Sequence, residues 1–275
     1  MNSLASSLAA LLPRKALERL AVWRSSPTLV GRALTALATS LRGREVVIAK
    51  GEGAGLRFNT AGSPIAYGLG LLEPEVQATL ATHLKPGDTF YDVGANVGLF
   101  TLIGARKVGE SGRVVAFEPA PSTARLLQAN LDLNGFAHVT VEQKAVADTP
   151  GTARFVVPHE NQQGRLPQFE RAFGPEGDAI EVEVTTLDAV IAEGAPPPTF
   201  IKMDIEGAEV AALAGMAETL RTHRPVVLCE VHQTGPEVEA AFRQIGYSVQ
   251  PLAEPSAQGA PSPDTYHVLA RPEAP

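Results

Sequence analysis

The chain has one cysteine in 275 residues, Cys229, so an internal disulfide is excluded. A core must hold the fold together without covalent help, as in reducing compartments, and the expected location is the cytoplasm. Aromatic residues are sparse at 5%, with a single tryptophan, Trp23, which reads as a packing residue. No run approaches the roughly 20 apolar residues that span a bilayer. The apolar patch from Met1 to Leu12 has no basic residues ahead of it, which argues against a secretory signal. Charged residues make up 19% and apolar residues 44%, the composition of an ordinary globular protein.

Acidic residues are scarce only at the start. Residues 1–50 carry eight lysines and arginines against Glu18 and Glu45, although the whole chain has a formal charge of −7. The rest is therefore strongly acidic, which disfavours nucleic acid as a partner, because phosphate neutralisation needs a basic surface. There is also no [ND]-P-P-[FYW] motif. Residues 1–44 read as a helical extension, Leu8–Trp23 and Thr28–Leu41, punctuated by Pro13 and Pro27. Its basic side chains suit peripheral contact with an anionic membrane or an acidic protein.

From residue 45 the patterning is that of an α/β domain. Two short runs, Glu45–Ala49 and Gly55–Asn59, predict a hairpin, and a helix follows over Pro74–His83. Strands are then expected at Thr89–Val93, Val114–Phe117, Val139–Glu142, Thr199–Met203 and Val226–Val231. Helices alternate with them at Gly98–Lys107, Ser122–Leu133, Ala208–Leu220 and Pro236–Ile245. That alternation implies a mostly parallel, Rossmann-like sheet covered on both faces. It breaks over about 149–186, where a β-rich insertion is expected, and the polar stretch His159–Arg165 within it suits a substrate lid or a solvated loop. Tyr247–Gln250 and Tyr266–Arg271 are expected to close the chain as an antiparallel pair.

The most informative segment is Asp92-Val93-Gly94-Ala95-Asn96-Val97-Gly98, between a strand and a helix. The first strand-to-helix turn of such a sheet supplies a glycine-rich ligand contact. A pyrophosphate would require G-x-G-x-x-G, but Ala95 and Asn96 stand where that second glycine would fall. No G-K-[ST] follows for a phosphate loop, and no tyrosine is followed four residues later by lysine. Glu118 ends the next strand, where an acid accepts hydrogen bonds from ribose hydroxyls. A D-x-G-x-x-x-G turn with that acid points to an adenosine ligand without a pyrophosphate, and S-adenosylmethionine fits best.

Further acids and an imidazole close the later strands. Asp204 and Glu206 follow one, and Glu230 and His232, two residues apart on one strand face, end its neighbour. Two chemistries are open at this point. Asp204, Glu206 or His232 takes part directly, with His232 or Asp204 as general base, or Asp204, Glu206, Glu230 and His232 hold a divalent cation, magnesium or manganese, that acidifies a hydroxyl.

Five segments taken in order resemble the FkbM-type methyltransferases, class I enzymes that use S-adenosylmethionine. They are D-V-G-A-N-V-G (Asp92–Gly98), F-E-P (Phe117–Pro119), T-L-D (Thr186–Asp188), I-K-M-D-I-E-G-A-E (Ile201–Glu209) and C-E-V-H (Cys229–His232). The resemblance runs from about Glu45 to Ala270. It implies a seven-stranded sheet with a reversed last strand and O-methylation of a sugar, glycoconjugate or polyketide hydroxyl. It also implies that Asp92, Gly94, Asn96, Gly98 and Glu118 hold the cofactor. Gly70 and Glu73 match a glycine and glutamate that family members carry before the first helix, so Glu73 is expected to face cofactor or acceptor. N- or C-methylation with the same cofactor site, or a non-catalytic adenosine-binding module, are the competing readings.

Overall fold

The computed structural model describes residues 43–157, 178–252 and 265–273. The two arm helices, Trp23 and the stretch His159–Arg165 lie outside these residues. The first pair of strands, β1 (Glu45–Val47) and β2 (Arg57–Asn59), is the expected antiparallel hairpin, with Val46 opposite Phe58. A short helix not foreseen from sequence, α1 (Ile65–Leu69), precedes α2 (Pro74–His83). The proline that opens α2 stands where a missing N–H is harmless.

The main sheet then builds by alternation. Its elements are β3 (Thr89–Val93), α3 (Leu99–Val108), β4 (Arg113–Phe117), α4 (Pro121–Asn134) and β5 (Val139–Glu142). A three-stranded sheet interrupts it: β6 (Lys144–Val146), β7 (Gly151–Val157) and β8 (Asp178–Thr185), with β8 in the middle. Alternation resumes with α5 (Leu187–Ala192), β9 (Phe200–Met203), α6 (Glu209–Ala214), α7 (Ala217–Thr222), β10 (Val226–His232) and α8 (Gly235–Gln244). The last strands, β11 (Tyr247–Pro251) and β12 (Thr265–Pro272), pair antiparallel.

The seven strands lie in the order β11-β12-β10-β9-β3-β4-β5. Those from β10 to β5 run parallel, whereas β12 wedges between β10 and β11 and opposes both. The fold is therefore the Rossmann-like sheet with a reversed last strand. The order reverses beside β3, since the chain proceeds outward to β4 and β5 and then returns to β9 on the other side. A crevice at the carboxyl ends of β3, β4 and β9 follows from that switch. No helix among the described residues is long and apolar enough to cross a membrane.

Period-two alternation sorts β3 between two cores. Phe90 packs with Leu102, Ile103 and Leu127 on one face, and Tyr91 and Val93 with Met203 and Leu213 on the other. Asp92 shares the face of Phe90, and Lys202 shares that of Phe200 on β9. The two are register partners across the parallel strands. Charged side chains in such a position are rare unless paired.

The helix expected over Ala208–Leu220 is two helices. A Cβ on Gly215 would lie 2.0 Å from the Ala147 carbonyl oxygen, so the chain packs tightly there. The Gly215 carbonyl accepts from the Asp188 amide (3.1 Å) instead of continuing the helix. The Asp188 carboxylate then accepts from the amides of Glu218 (3.1 Å) and Thr219 (2.8 Å), capping α7 from outside. Thr186 caps α5 by accepting from the Ala189 amide (3.0 Å). The T-L-D segment is thus a pair of helix caps. Asp188→Ala should cost about 1–2 kcal/mol, a fall of roughly 2–8 °C in melting temperature. Asp188→Asn, which keeps an acceptor, should recover most of it.

Candidate active site

The turn after β3 hangs from the end of β4, where the amides of Gly94 (3.1 Å) and Ala95 (2.9 Å) both donate to the Phe117 carbonyl. Gly94 adopts φ 81°, and a Cβ there would lie 1.9 Å from the Asp204 carbonyl oxygen, so only glycine fits. Asn96 is left-handed at φ 50°, with its side chain accepting from the Val97 amide (2.8 Å). At Gly98 the close neighbour is Leu127 of α4, 2.4 Å from a would-be Cβ. Packing of the helix start against α4 is enough to require glycine there.

Glu118 is tied to the same turn. Its Oε2 accepts from the Asn96 amide (3.0 Å) and its Oε1 from the Ala120 amide (2.9 Å), which fixes the carboxylate and leaves further lone pairs on both oxygens. Burial pushes its carboxyl up to about 7, against the pull of those two amides. A cleft of about 550 Å³ opens here, lined by Gly94, Asn96, Glu118 and Asp204. Its apolar walls include Pro119, Val146 and Phe155, the last two from the small sheet. An apolar slot with Glu118 at its edge suits a flat base carrying a ribose.

Below the turn lies a buried ion group. Asp92 is fully buried, with Oδ2 accepting from the Thr101 hydroxyl (2.6 Å) and Oδ1 without a hydrogen-bond partner. Lys202 Nζ stands 3.7 Å from Asp92, 3.6 Å from Asp204, 3.4 Å from the Gly94 carbonyl and 5.1 Å above the Phe100 ring. Burial alone would lower its pKa, but Asp204 and Asp92 outweigh it and hold the ammonium above its ordinary value. Burial pushes Asp204 upward, and Lys202, His232 and His267 overcome it, so that carboxylate stays below the usual range.

On the far side of Asp204 the ends of β9, β10 and β12 bring acids and imidazoles together. His232 Nδ1 lies 2.9 Å from Glu209 Oε1, and its Nε2 faces Glu206 (3.5 Å) and Glu230 (3.8 Å). Glu209 is fully buried and also accepts from the Gly207 amide (2.8 Å) and the Thr234 hydroxyl (2.9 Å). Burial would lower the imidazole pKa, but the Glu209 hydrogen bond and the charges of Asp204 and Glu206 raise it to about 9. Burial, with Asp204 and Glu73 adding repulsion, pushes Glu230 up to about 10. Glu73, at φ 39°, approaches His267 Nε2 at 3.6 Å. Among the described residues, five non-glycines have positive φ, and four of them, Glu73, Asn96, Glu206 and Gln233, border this region. Backbone strain concentrates at functional sites.

The acids and the imidazole singled out from sequence gather around this crevice. Gly94, Asn96, Glu118, Asp204 and Glu206 line the cleft, Asp92 is buried beneath its turn, and Glu230, His232 and Glu73 gather beyond Asp204. Asp204, Glu230 and His232 each offer one ligand atom within 4.8 Å of the others. Sequence reasoning missed three participants, namely Lys202, Glu209 and His267. The lysine had a visible signal, a cation inside an apolar strand run just before Asp204.

The model of the methyltransferase FkbM domain matches residues 92–249, more than half of the chain and all of this crevice except Glu73 and His267. The chain belongs to the FkbM methyltransferase family. It is 31% identical over 219 residues to 31-O-demethyl-FK506 methyltransferase FkbM of Streptomyces tacrolimicus, covering 68% of this chain and 82% of that protein. It is 27% identical over 161 residues to hexuronic acid methyltransferase AglP of Haloferax volcanii, covering 58% and 62%. A solved structure of methyltransferase FkbM from Methylobacillus flagellatus superposes with a TM-score of 0.45 at 19% identity, over 72% of this chain and 58% of that one. This FkbM-family chain is accordingly a methyltransferase.

Proposed function

We propose that the protein transfers the methyl group of S-adenosylmethionine to a hydroxyl of a small polyhydroxylated acceptor, a sugar, glycoconjugate or polyketide-like molecule. The observation that carries this reading is Glu118, its carboxylate pinned by the Asn96 and Ala120 amides at the edge of an apolar cleft. Such a carboxylate retains acceptor capacity for two ribose hydroxyls. The left-handed turn at Gly94 and Asn96 and the buried Asp92 complete the donor side, and Glu73, beside His267, faces the acceptor side. Bound S-adenosylmethionine supplies a methyl group on a sulfonium, open to displacement by an oxygen.

The chain's own work is to align the acceptor, keep out water and take up a proton. His232 is the best-placed base: Glu209 fixes its Nδ1, so Nε2 faces the acceptor side beside Glu206 and Glu230. Glu209 then stabilises the imidazolium that forms. Asp204, already paired with Lys202, helps hold charge there rather than accepting the proton. A neutral amine needs no such base, so this pairing favours oxygen over nitrogen as acceptor. Two relatives, one named for an O-demethylated FK506 and one for a hexuronic acid, support an oxygen-rich acceptor. A divalent cation on Asp204, Glu206, Glu230 and His232 has less support, because Lys202 Nζ at 3.6 Å already compensates Asp204.

Titration calorimetry with S-adenosylmethionine and with NAD tests the donor. The first should bind and the second should not. Glu118→Ala should weaken S-adenosylmethionine about 10–100-fold, or about 1.4–2.8 kcal/mol, with the secondary structure intact. Binding equal to the parent's would remove the reading. A labelled-methyl screen against sugars, lipid-linked glycans and polyketides then identifies the acceptor.

A further inference from the structure

Three side chains from three segments meet beside the proposed base without satisfying one another. His267 on β12 is 5% exposed, and neither of its ring nitrogens has a hydrogen-bond partner. Its Nε2 lies 3.6 Å from Glu73 Oε2 and 3.7 Å from Glu230 Oε2, too far for hydrogen bonds. Glu73 Oε2 is likewise buried and without a hydrogen bond. The arrangement is firmly built. Glu230 and His267 are direct cross-strand partners on β10 and β12, and Glu73 caps α2 in a left-handed conformation that aims it inward. A buried polar atom left unpaired is destabilising, and two residues here carry such atoms.

Separations of 3.6–3.7 Å are what donors around a shared ion show. Two ligand atoms each about 2.1 Å from a tetrahedral or trigonal ion stand about 3.4–3.6 Å apart. One ligand atom from each of Glu73, Glu230 and His267 lies within 4.8 Å of the others. One imidazole nitrogen and two carboxylate oxygens form a set of borderline hardness, suited to zinc or manganese and too poor in oxygens for calcium.

We propose that Glu73, Glu230 and His267 bind a divalent first-row metal ion. The site is distinct from the Asp204–Glu230–His232 group, from which it differs in two of three ligands. It does not depend on which acceptor the enzyme methylates. Its ion lies one side chain away from His232, since Glu230 faces His232 through Oε1 and His267 through Oε2. An ion there would hold an acceptor oxygen and add a positive charge to an acid-rich wall.

The test is binding of Mn²⁺ and of Zn²⁺ to the untagged full chain, measured by calorimetry and by elemental analysis after dialysis. One ion per chain is expected, with Glu73→Gln and His267→Asn each weakening it at least tenfold, and S-adenosylmethionine binding persisting in His267→Asn. His232→Asn, which alters the neighbouring group only, should leave ion affinity within about threefold. Circular dichroism checks that each variant is folded, and Glu73→Gln, which keeps size and shape, stands if His267→Asn does not fold. No ion bound at 0.1 mM free metal would overturn the proposal. So would unchanged affinity in Glu73→Gln, or loss confined to His232→Asn.

Discussion

Replacing Lys202 by methionine should destabilise the protein by about 3–5 kcal/mol, the usual loss when one partner of a buried ion pair is removed. Methionine preserves the length and apolar body of the side chain, so packing against Phe100 changes little. What goes is the one ammonium that stands 3.7 Å from Asp92 and 3.6 Å from Asp204, at 3% exposure in the middle of the sheet. Asp92 then keeps only the Thr101 hydroxyl, and Asp204 only the more distant imidazoles of His232 and His267. The Gly94 carbonyl also loses its donor at 3.4 Å, which loosens the turn after β3. Melting temperature should fall by on the order of 10 °C. Adding Asp92→Asn should restore part of the loss, because an amide is cheaper to bury than an unpaired charge. A Lys202→Met protein that melts within about 2 °C of the parent would show that the pairing contributes little.

The sheet was legible because its strands read as short apolar runs between helices, and the turn after β3 because glycine and acid spacing there is forced. Gly94 illustrates this, since the Asp204 carbonyl leaves no room for a Cβ. What escaped the sequence depends on neighbours far along the chain. Glu230 and His267 are 37 positions apart, and only the antiparallel register of β10 and β12 sets them face to face. Glu209 reads as a first-turn helix acid, and the fold instead buries it under His232. The break between α6 and α7 comes from Ala147 and Asp188 pressing on Gly215, and no local propensity announces it. Electrostatics was the least legible of all. Imidazole as a residue type suggests titration near neutrality, and the carboxylates gathered around His232 move it to about 9.

That shift sets the enzyme's expected response to pH. If His232 accepts the acceptor's proton, only its neutral form is competent, and at pH 7 about one molecule in a hundred has it. The turnover rate should therefore climb tenfold per pH unit from about 6.5 and level off near 9. His232→Asn retains a donor toward Glu209 but has no basic nitrogen, so it should lose about 10²–10⁴-fold in rate at the plateau and flatten the profile. Glu209→Gln separates positioning from chemistry. It removes the strongest influence that raises the imidazole, so the rising limb should move toward the ordinary histidine value near 6.5, with a lower plateau from poorer orientation. A donor-saturated parent whose rate is level from pH 6 to 9, or a His232→Asn enzyme with the parent's slope, would take His232 out of the chemistry. Asp204 would then be the remaining candidate, because a carboxylate held below its usual range is already ionised throughout that interval.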